Sequence, residues 1–531
     1  MRRGDGRIVQ YIDSQWVFSA SDLTLLLDCE HATEMNIAYR ADLLEVEPVE
    51  AEGMVALAGK HGIRHEERIL QRLQQQYDVV EVDSPDRTAG IAGFVAAADE
   101  TRRAMVTGAE VIYQGCFFDG QFLGYSDFLM RTDDGYEVYD TKLAKSVKEA
   151  ALVQLASYSD QVARLGFPMP TDMHVWLGTD EISSHAVADY LEQMRQLRAE
   201  MEQRLAVPAA VPDPLWADKR SACGSCRWRE TCAAGRDEAR DLSLIHGIRG
   251  NQIKSLRQTG ITTVEALGSA DPSQRPAKVS VGVFDKLRSQ ARLQSVQDAG
   301  RSEADPVGSV SAEFFARGGV AKLPPRSEGD VWFDIEGDPF APGDAGLEYL
   351  FGYLTAVDGC EEFTALWAHT PAEEKAMLAD FVAQLQQRID RWPDLHIYHY
   401  ANYEQTKLRK LAEEHQICEV EIQQWFDEGR LVDLEKIFRR SFRVSQRSYS
   451  LKKLEPLYGL VRDEDVQTAG DSVVDYEEYL DLLAEAEHDP QRAAELRATA
   501  QAKLAGIRDY NEVDCRSTYR LDTWIREQAI G

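Results

Sequence analysis

The chain has no run of about 20 consecutive apolar residues, the length a helix needs to cross a bilayer, so no membrane span is expected. Its opening, MRRGDGRIVQYIDSQ, lacks the apolar centre of a secretory leader, and a cytoplasmic protein is expected. Positive charge is scarce. The sequence carries 59 Lys and Arg against 90 Asp and Glu, a formal net charge of −31. That balance argues against a protein that coats nucleic acid through bulk attraction. It leaves room for an enzyme that grips phosphates through metal ions and local basic patches. Cysteine is sparse, with eight in 531 residues, and in a cytoplasmic setting thiols point to metal ligation or chance before disulfides. Apolar residues make up 44 % of the chain, enough for real cores. At this length two or three domains are expected.

The most informative stretch is Gly124 to Tyr158, GYSDFLMRTDDGYEVYDTKLAKSVKEAALVQLASY. Tyr125 to Met130 reads as an apolar strand carrying Asp127. Asp133-Asp134-Gly135 reads as a hairpin turn, since Asp and Gly tolerate the positive φ such turns need. Tyr136 to Leu143 alternates into a second strand bearing Asp140 and Lys142, which point to the same side. A helix follows with Gln154 and Tyr158 on one face. Two carboxylates on paired strands can hold one Mg²⁺ or Mn²⁺, and Lys142 can orient a water or steady charge on a phosphate. The plainer alternative is a half-buried hairpin with surface charges. The ordered set resembles the RecB-like branch of the PD-(D/E)XK nucleases, with Gly124/Asp127, Asp140/Lys142 and Gln154/Tyr158 as its motifs. The resemblance implies a restriction-endonuclease-like fold and a further metal ligand from an early helix. In the amphipathic helix read over residues 59–77, His65 and Glu66 are the candidates by position, or simply a solvated pair.

Residues 223–232, CGSCRWRETC, place Cys223, Cys226 and Cys232 in a C-x2-C-x5-C spacing. Three thiols this close suit a metal, and a fourth ligand is then required. Cys29, read as lying inside a helix capped by Ser19 or Ser21, is the cysteine in a comparable position outside the nuclease core. A distant N-terminal cysteine with this C-terminal spacing resembles the iron–sulfur nucleases of the RecB-like class, which implies a structural [4Fe–4S] cluster on four thiolates. Zinc held by four cysteines is the competing reading.

Residues 242–270 show two short helices around Gly247-Ile-Arg-Gly250 and resemble a helix–hairpin–helix, a motif that offers backbone N–H groups to a phosphate. Arg249, Lys254 and Arg257 suit nucleic-acid contact there, while an ordinary helical connector remains open. A weaker second copy is read at 279–296. Residues 300–329 are rich in Gly, Pro, Ser and charge and read as a linker.

A second set of acids follows. GDVWFDIEGDP (329–339) is a strand ending in Asp334 and Glu336 on one face; ANYE carries Glu404; the last helix carries Tyr510 and Asp514 four apart. Four carboxylates can hold two metals across a scissile phosphate. The series, with SLKKL at 450–454, resembles the ribonuclease H-like DEDD exonucleases in the form of polymerase proofreading domains. Glu404 stands where that family has Asp, a departure that shifts its carboxylate by about one C–C bond. The resemblance gives Tyr510 the role of orienting the attacking water. Between Lys436 and Lys453 lie Arg439, Arg440, Arg443, Arg447 and Lys452 with no acid, read as a phosphate track or as a solvated face.

The two resemblances, in this order, match bacterial nucleases that fuse both folds. The expectation is a multidomain α/β protein: a PD-(D/E)XK domain at 1–238 with the cysteine cluster, a helix–hairpin–helix connector at 239–300, a linker at 301–328, and a ribonuclease H-like 3′–5′ exonuclease domain at 329–531. DNA is the expected substrate. An RNA-trimming nuclease and a nucleic-acid-binding scaffold docked to a helicase with one silent site are the alternatives.

Overall fold

The computed structural model describes residues 9–50, 53–305, 307–341, 346–462 and 468–530; the leader reading falls partly on residues 1–8, outside them. The chain divides into two compact units, residues 1–236 and 237–531.

The first unit is built on a mixed sheet. Gln10–Ile12, Gln15–Ser19, Phe122–Arg131, Tyr136–Lys142, Asp172–Leu177 and Ile182–Ala186 follow one another in that order, and Val111–Phe118 also pairs with Phe122–Arg131. The expected hairpin forms: Thr132 N donates to Gly135 O at 2.8 Å, and Gly135 takes φ 151°, a conformation glycine adopts without a Cβ clash. Its register sets Phe128 opposite Tyr139 and Leu129 opposite Val138. Leu129 and Val138 enter the main core together with Tyr158. Asp127 and Asp140 share their side of the sheet, because side chains alternate along a strand. The helix Glu149–Arg164 packs on this sheet.

The N-terminal helix Ala20–Asp28 starts at a capping box between Ser19 and Asp22. Cys29 does not lie inside it. Its backbone is extended (φ −160°, ψ 101°), which ends this helix and starts Glu30–Arg40. The break gives the thiol a corner of the chain, where it joins a small separate core with Met35, Trp228 and Cys232.

In the second unit the sheet order is Cys360–Trp367, Leu347–Val357, Val331–Asp338, Ile397–His399, Leu431–Asp433. The first two junctions are antiparallel and the last two parallel. Parity along Val331–Asp338 divides two cores. Phe333 and Ile335 pack with Phe351 and Phe381. Trp332 packs on the other face with Tyr398, Leu521 and Ile525. Asp334 and Glu336 have the parity of Trp332 and so face the helix Ala493–Ile530.

Helices Gly250–Arg257, Val264–Ser269 and Val281–Ala299 close around Leu256, Val264, Leu267, Phe284 and Leu287. The second copy read at 279–296 is instead one uninterrupted helix, with Phe284, Leu287 and Ala291 buried on one side. The segment read as a linker also holds structure. Ala312–Phe314 pairs antiparallel with Phe442–Val444, and Ser441 Oγ accepts from Gly319 N at 3.0 Å and Val320 N at 2.9 Å. A short helical turn, Val320–Lys322, follows, so a segment rich in Gly and Pro still packs.

Candidate active sites

In the first unit Asp127 Oδ2 accepts from Thr141 N at 2.6 Å and Thr141 Oγ1 at 2.7 Å. Asp140 is buried and pairs with Lys142 Nζ at 2.5 Å. Burial, then the charge of Asp140, holds the Asp127 carboxyl well above the usual carboxylate range. Burial opposes the charge on Lys142, but Asp140 and Asp127 together raise its ammonium group above the ordinary lysine value. Gln154 Nε2 donates to Tyr158 OH at 3.1 Å, so the expected helix face is assembled. Gly124 has a steric reason: a Cβ there would come within 2.6 Å of Tyr158 Cε1. The motif glycine and the motif tyrosine are one packing contact.

His65 is not turned toward these acids. It is buried, its Nε2 meets Trp176 O at 3.3 Å, and its Nδ1 meets Arg68 Nη2 at 3.0 Å. Both ring nitrogens are engaged by these partners. Its neighbour Glu66 is the residue whose charge reaches Asp127 and Lys142, with Gln114 Nε2 bonded to its Oε1 at 2.5 Å.

Cys29, Cys223, Cys226 and Cys232 all line one cavity of about 130 Å³. Arg220 N donates to Cys223 Sγ at 3.3 Å and Trp228 N to Cys226 Sγ at 3.4 Å. Burial raises the Cys226 and Cys232 thiols, and the other cysteines add to it.

In the second unit, among the described residues, Asp334, Glu336 and Asp514 bring one carboxylate oxygen each within 4.8 Å of one another. Burial, then Asp514, pushes Glu336 up to about 8. The same two causes, with Glu336 added, hold Asp334 well above its usual range. Glu404 is buried and near enough to raise Asp334. Its Oε2 lies 3.3 Å from His399 Nδ1, and it stands outside the group of three. Tyr510 hydrogen-bonds Asp514 and accepts from Lys452 Nζ at 2.9 Å. Three residues here are absent from the motif reading. Asn511 Nδ2 donates to Asp334 Oδ2 at 2.7 Å across Gly352, where a Cβ would overlap the Asn511 amide. Arg462 pairs with Asp514 and with Glu455. Asn511 was findable as the residue beside Tyr510 on the last helix; Arg462 and Glu455 carry no local signal.

The basic run divides. Arg447 pairs with Asp237 and, at 3.5 Å, with Asp298. Arg443 lies over Phe315 and donates to Ser289 Oγ at 3.4 Å. Arg439 pairs with Glu435 at 2.8 Å and covers Tyr449. Lys436 pairs with Asp433 at 3.0 Å. Arg440 and Lys453 are exposed. The run has no internal acid, but acids 210 and 149 positions away from Arg447 fold onto it. Arg439, Arg443 and Arg447 therefore serve packing contacts and do not form one open stripe. In the connector, Arg249 and Lys254 are exposed, and Arg257 pairs with Asp241 at 2.7 Å.

The raised Glu336 sets a pH dependence. Without metal, the folded chain keeps a proton on Glu336 up to about 8, while the unfolded chain loses it near the ordinary value of 4.5. The folded state binds more protons across that window, so unfolding free energy falls as pH rises through it. Thermal unfolding in chelator is expected to show this fall, and Glu336→Gln to flatten it. An unchanged slope in Glu336→Gln would remove Glu336 as its source.

Two family models match the chain. The PD-(D/E)XK nuclease superfamily matches residues 44–233, and the RNase H superfamily matches residues 331–526. No curated protein matches it. The matched spans contain both sets of carboxylates and the strands that carry Asp127, Asp140, Asp334 and Glu336, and the chain is thus a fusion of a PD-(D/E)XK nuclease superfamily domain with an RNase H superfamily domain.

Proposed function

We propose that the chain is a metal-dependent DNA nuclease with two separate hydrolytic sites, the second an exonuclease acting on a single-strand end. The observation that carries this reading is the convergence of Asp334, Glu336 and Asp514 within 4.8 Å. Glu336 and Asp514, both buried, and the half-buried Asp334 bring three carboxylates together, a set that suits a hard divalent cation, which takes oxygen ligands. Mg²⁺ or Mn²⁺ would supply a Lewis acid for the phosphate and an activated water.

The chain's own groups do the rest. Asp334, Glu336 and Asp514 would hold one ion, with Glu404 on the side of His399. Tyr510, fixed between Asp514 and Lys452, presents a hydroxyl that burial keeps protonated, suited to orienting a water. In the first domain Asp127, Asp140 and Glu66 would hold the ion, and Lys142 would take the phosphate charge. Gln154 and Tyr158 keep that pocket shaped. Arg440, Lys453, Arg249 and Lys254 are exposed cations that would meet a phosphate backbone, and the turn at Gly247 would offer N–H groups as a helix–hairpin–helix does.

The four thiols are read as ligands of a [4Fe–4S] cluster. Support comes from their shared cavity and from the N–H···S bonds, the kind of contact that tunes such clusters.

The two sites are expected to be separable. With end-labelled single-stranded DNA and Mn²⁺, Lys142→Ala should remove one cleavage pattern and spare the other, and Asp334→Ala should do the reverse. Loss of all cleavage in either single variant would mean one composite site or one inert one. Cleavage of RNA alone would move the substrate assignment. Protein purified without air should be brown and contain iron, and Cys226→Ser should lose it together with stability of the first unit. Stoichiometric zinc without iron would replace the cluster by a zinc site.

A further inference from the structure

Arg462 holds a position that the proposed metal chemistry does not use. Its side chain is only 7 % exposed. Nε and Nη2 reach both oxygens of Glu455 at 2.5–3.0 Å, and Nη2 also pairs with Asp514. Nη1 is buried and, among the described residues, has no hydrogen-bond partner. Glu455 is itself anchored by Ser517 Oγ at 3.0 Å. A buried, charged donor without an acceptor is costly. A guanidinium gripped along one edge is oriented, because its five donors are fixed in one plane. Arg462 therefore brings an unspent N–H to the acids that would bind metal, held there by Glu455 independently of Asp514.

A counter-charge that only neutralises Asp514 would need neither the two-pronged grip of Glu455 nor a free nitrogen beside it. An acceptor that is anionic, small enough to enter a carboxylate cluster and present only during the reaction would match this donor's charge and position. A phosphodiester is all three, and planar guanidinium groups suit its non-bridging oxygens. Resting on the two-site reading above, we propose that Arg462 is a catalytic residue of the second site, whose Nη1 donates to a non-bridging oxygen of the scissile phosphodiester while Glu455 positions it. In the step it serves, the water oxygen bonds to phosphorus as the bond from phosphorus to O3′ breaks. The water's proton is passed to solvent and the leaving O3′ takes up a proton. Arg462 keeps its own protons and steadies the charge that grows on the phosphoryl oxygens.

The test uses the full chain carrying Lys142→Ala, so that only the second site cuts, with Arg462→Lys and Arg462→Gln added singly. Substrates are single-stranded oligonucleotides whose terminal linkage is all-oxygen or a stereodefined phosphorothioate of either hand. Arg462→Gln is expected to lower kcat about 100-fold, the typical loss of one oxyanion donor, with KM little changed. The rate penalty of sulfur at one of the two oxygens should shrink in the variant, and that at the other should not. Arg462→Lys keeps the charge but not the fork. It should unfold at the parent's temperature and still lose most of kcat. Mn²⁺ binding, followed calorimetrically, should be kept or tightened in Arg462→Gln because Asp514 is released. Unchanged kcat, unchanged sulfur penalties at both oxygens, or loss of Mn²⁺ binding alongside activity would each overturn the proposal and leave Arg462 a structural counter-charge. Asp334→Ala in the Lys142→Ala chain separates the two readings. If it still cuts, the second site itself has been misassigned.

Discussion

Mutual repulsion between buried carboxylates is the constraint both units are built around. In the first, Asp127 and Asp140 stand on the same side of two paired strands; in the second, Asp334 and Glu336 share one strand face and the last helix brings Asp514 to them. Burial then favours the neutral forms of Asp127, Asp334 and Glu336, and a neighbouring carboxylate adds to it in each. Asp127 beside Asp140, and Asp334 beside Glu336 and Asp514, carry this conflict. Each unit answers it with a cation of its own: Lys142 on Asp140 in the first, Arg462 and Lys452 around Asp514 in the second. A divalent cation would relieve the same conflict more completely. The acids are thus poised between protonation, pairing and metal.

The surrounding fold serves that arrangement through small residues. Gly124 leaves room for the Tyr158 ring beside Asp127, and Gly352 leaves room for the Asn511 amide beneath Asp334. At both places a side chain from a packed helix crosses a strand at a glycine to reach the acid or its surroundings. The connector helix Val281–Ala299 is tied to the RNase H-like domain by the Arg447 pair with Asp298, by Gln290 Nε2 donating to Val444 O at 2.8 Å, and by Tyr449 OH donating to Gln290 Oε1 at 3.0 Å. Arginines that seemed free to meet phosphate are spent on that union.

What was legible follows from local periodicity. The hairpin over Asp127 and Asp140, the strand pair of Asp334 and Glu336, and the helix pairs Gln154/Tyr158 and Tyr510/Asp514 are set by spacings of two and four. Nearby residues alone decide such faces. The four cysteines line one cavity, and Cys29 reaches it through a helix break that apolar periodicity did not reveal. What was not legible depends on distant partners. Asn511 meets Asp334 across 177 positions and Arg462 meets Asp514 across 52. His65 and Glu66 are adjacent, and only the packing of Trp176 and Arg68 on the histidine decides which of them faces the acids.

The central claim is that each set of carboxylates is a separate cation site. Counting bound Mn²⁺ by electron paramagnetic resonance tests it most directly, with no substrate or turnover needed. The wild-type chain is expected to bind ions at two independent places. Asp127→Asn with Asp140→Asn should remove one, and Asp334→Asn with Glu336→Asn the other, each leaving the remaining affinity intact. Mn²⁺ binding that survives both pairs of substitutions, or that vanishes entirely with either pair, would contradict the account.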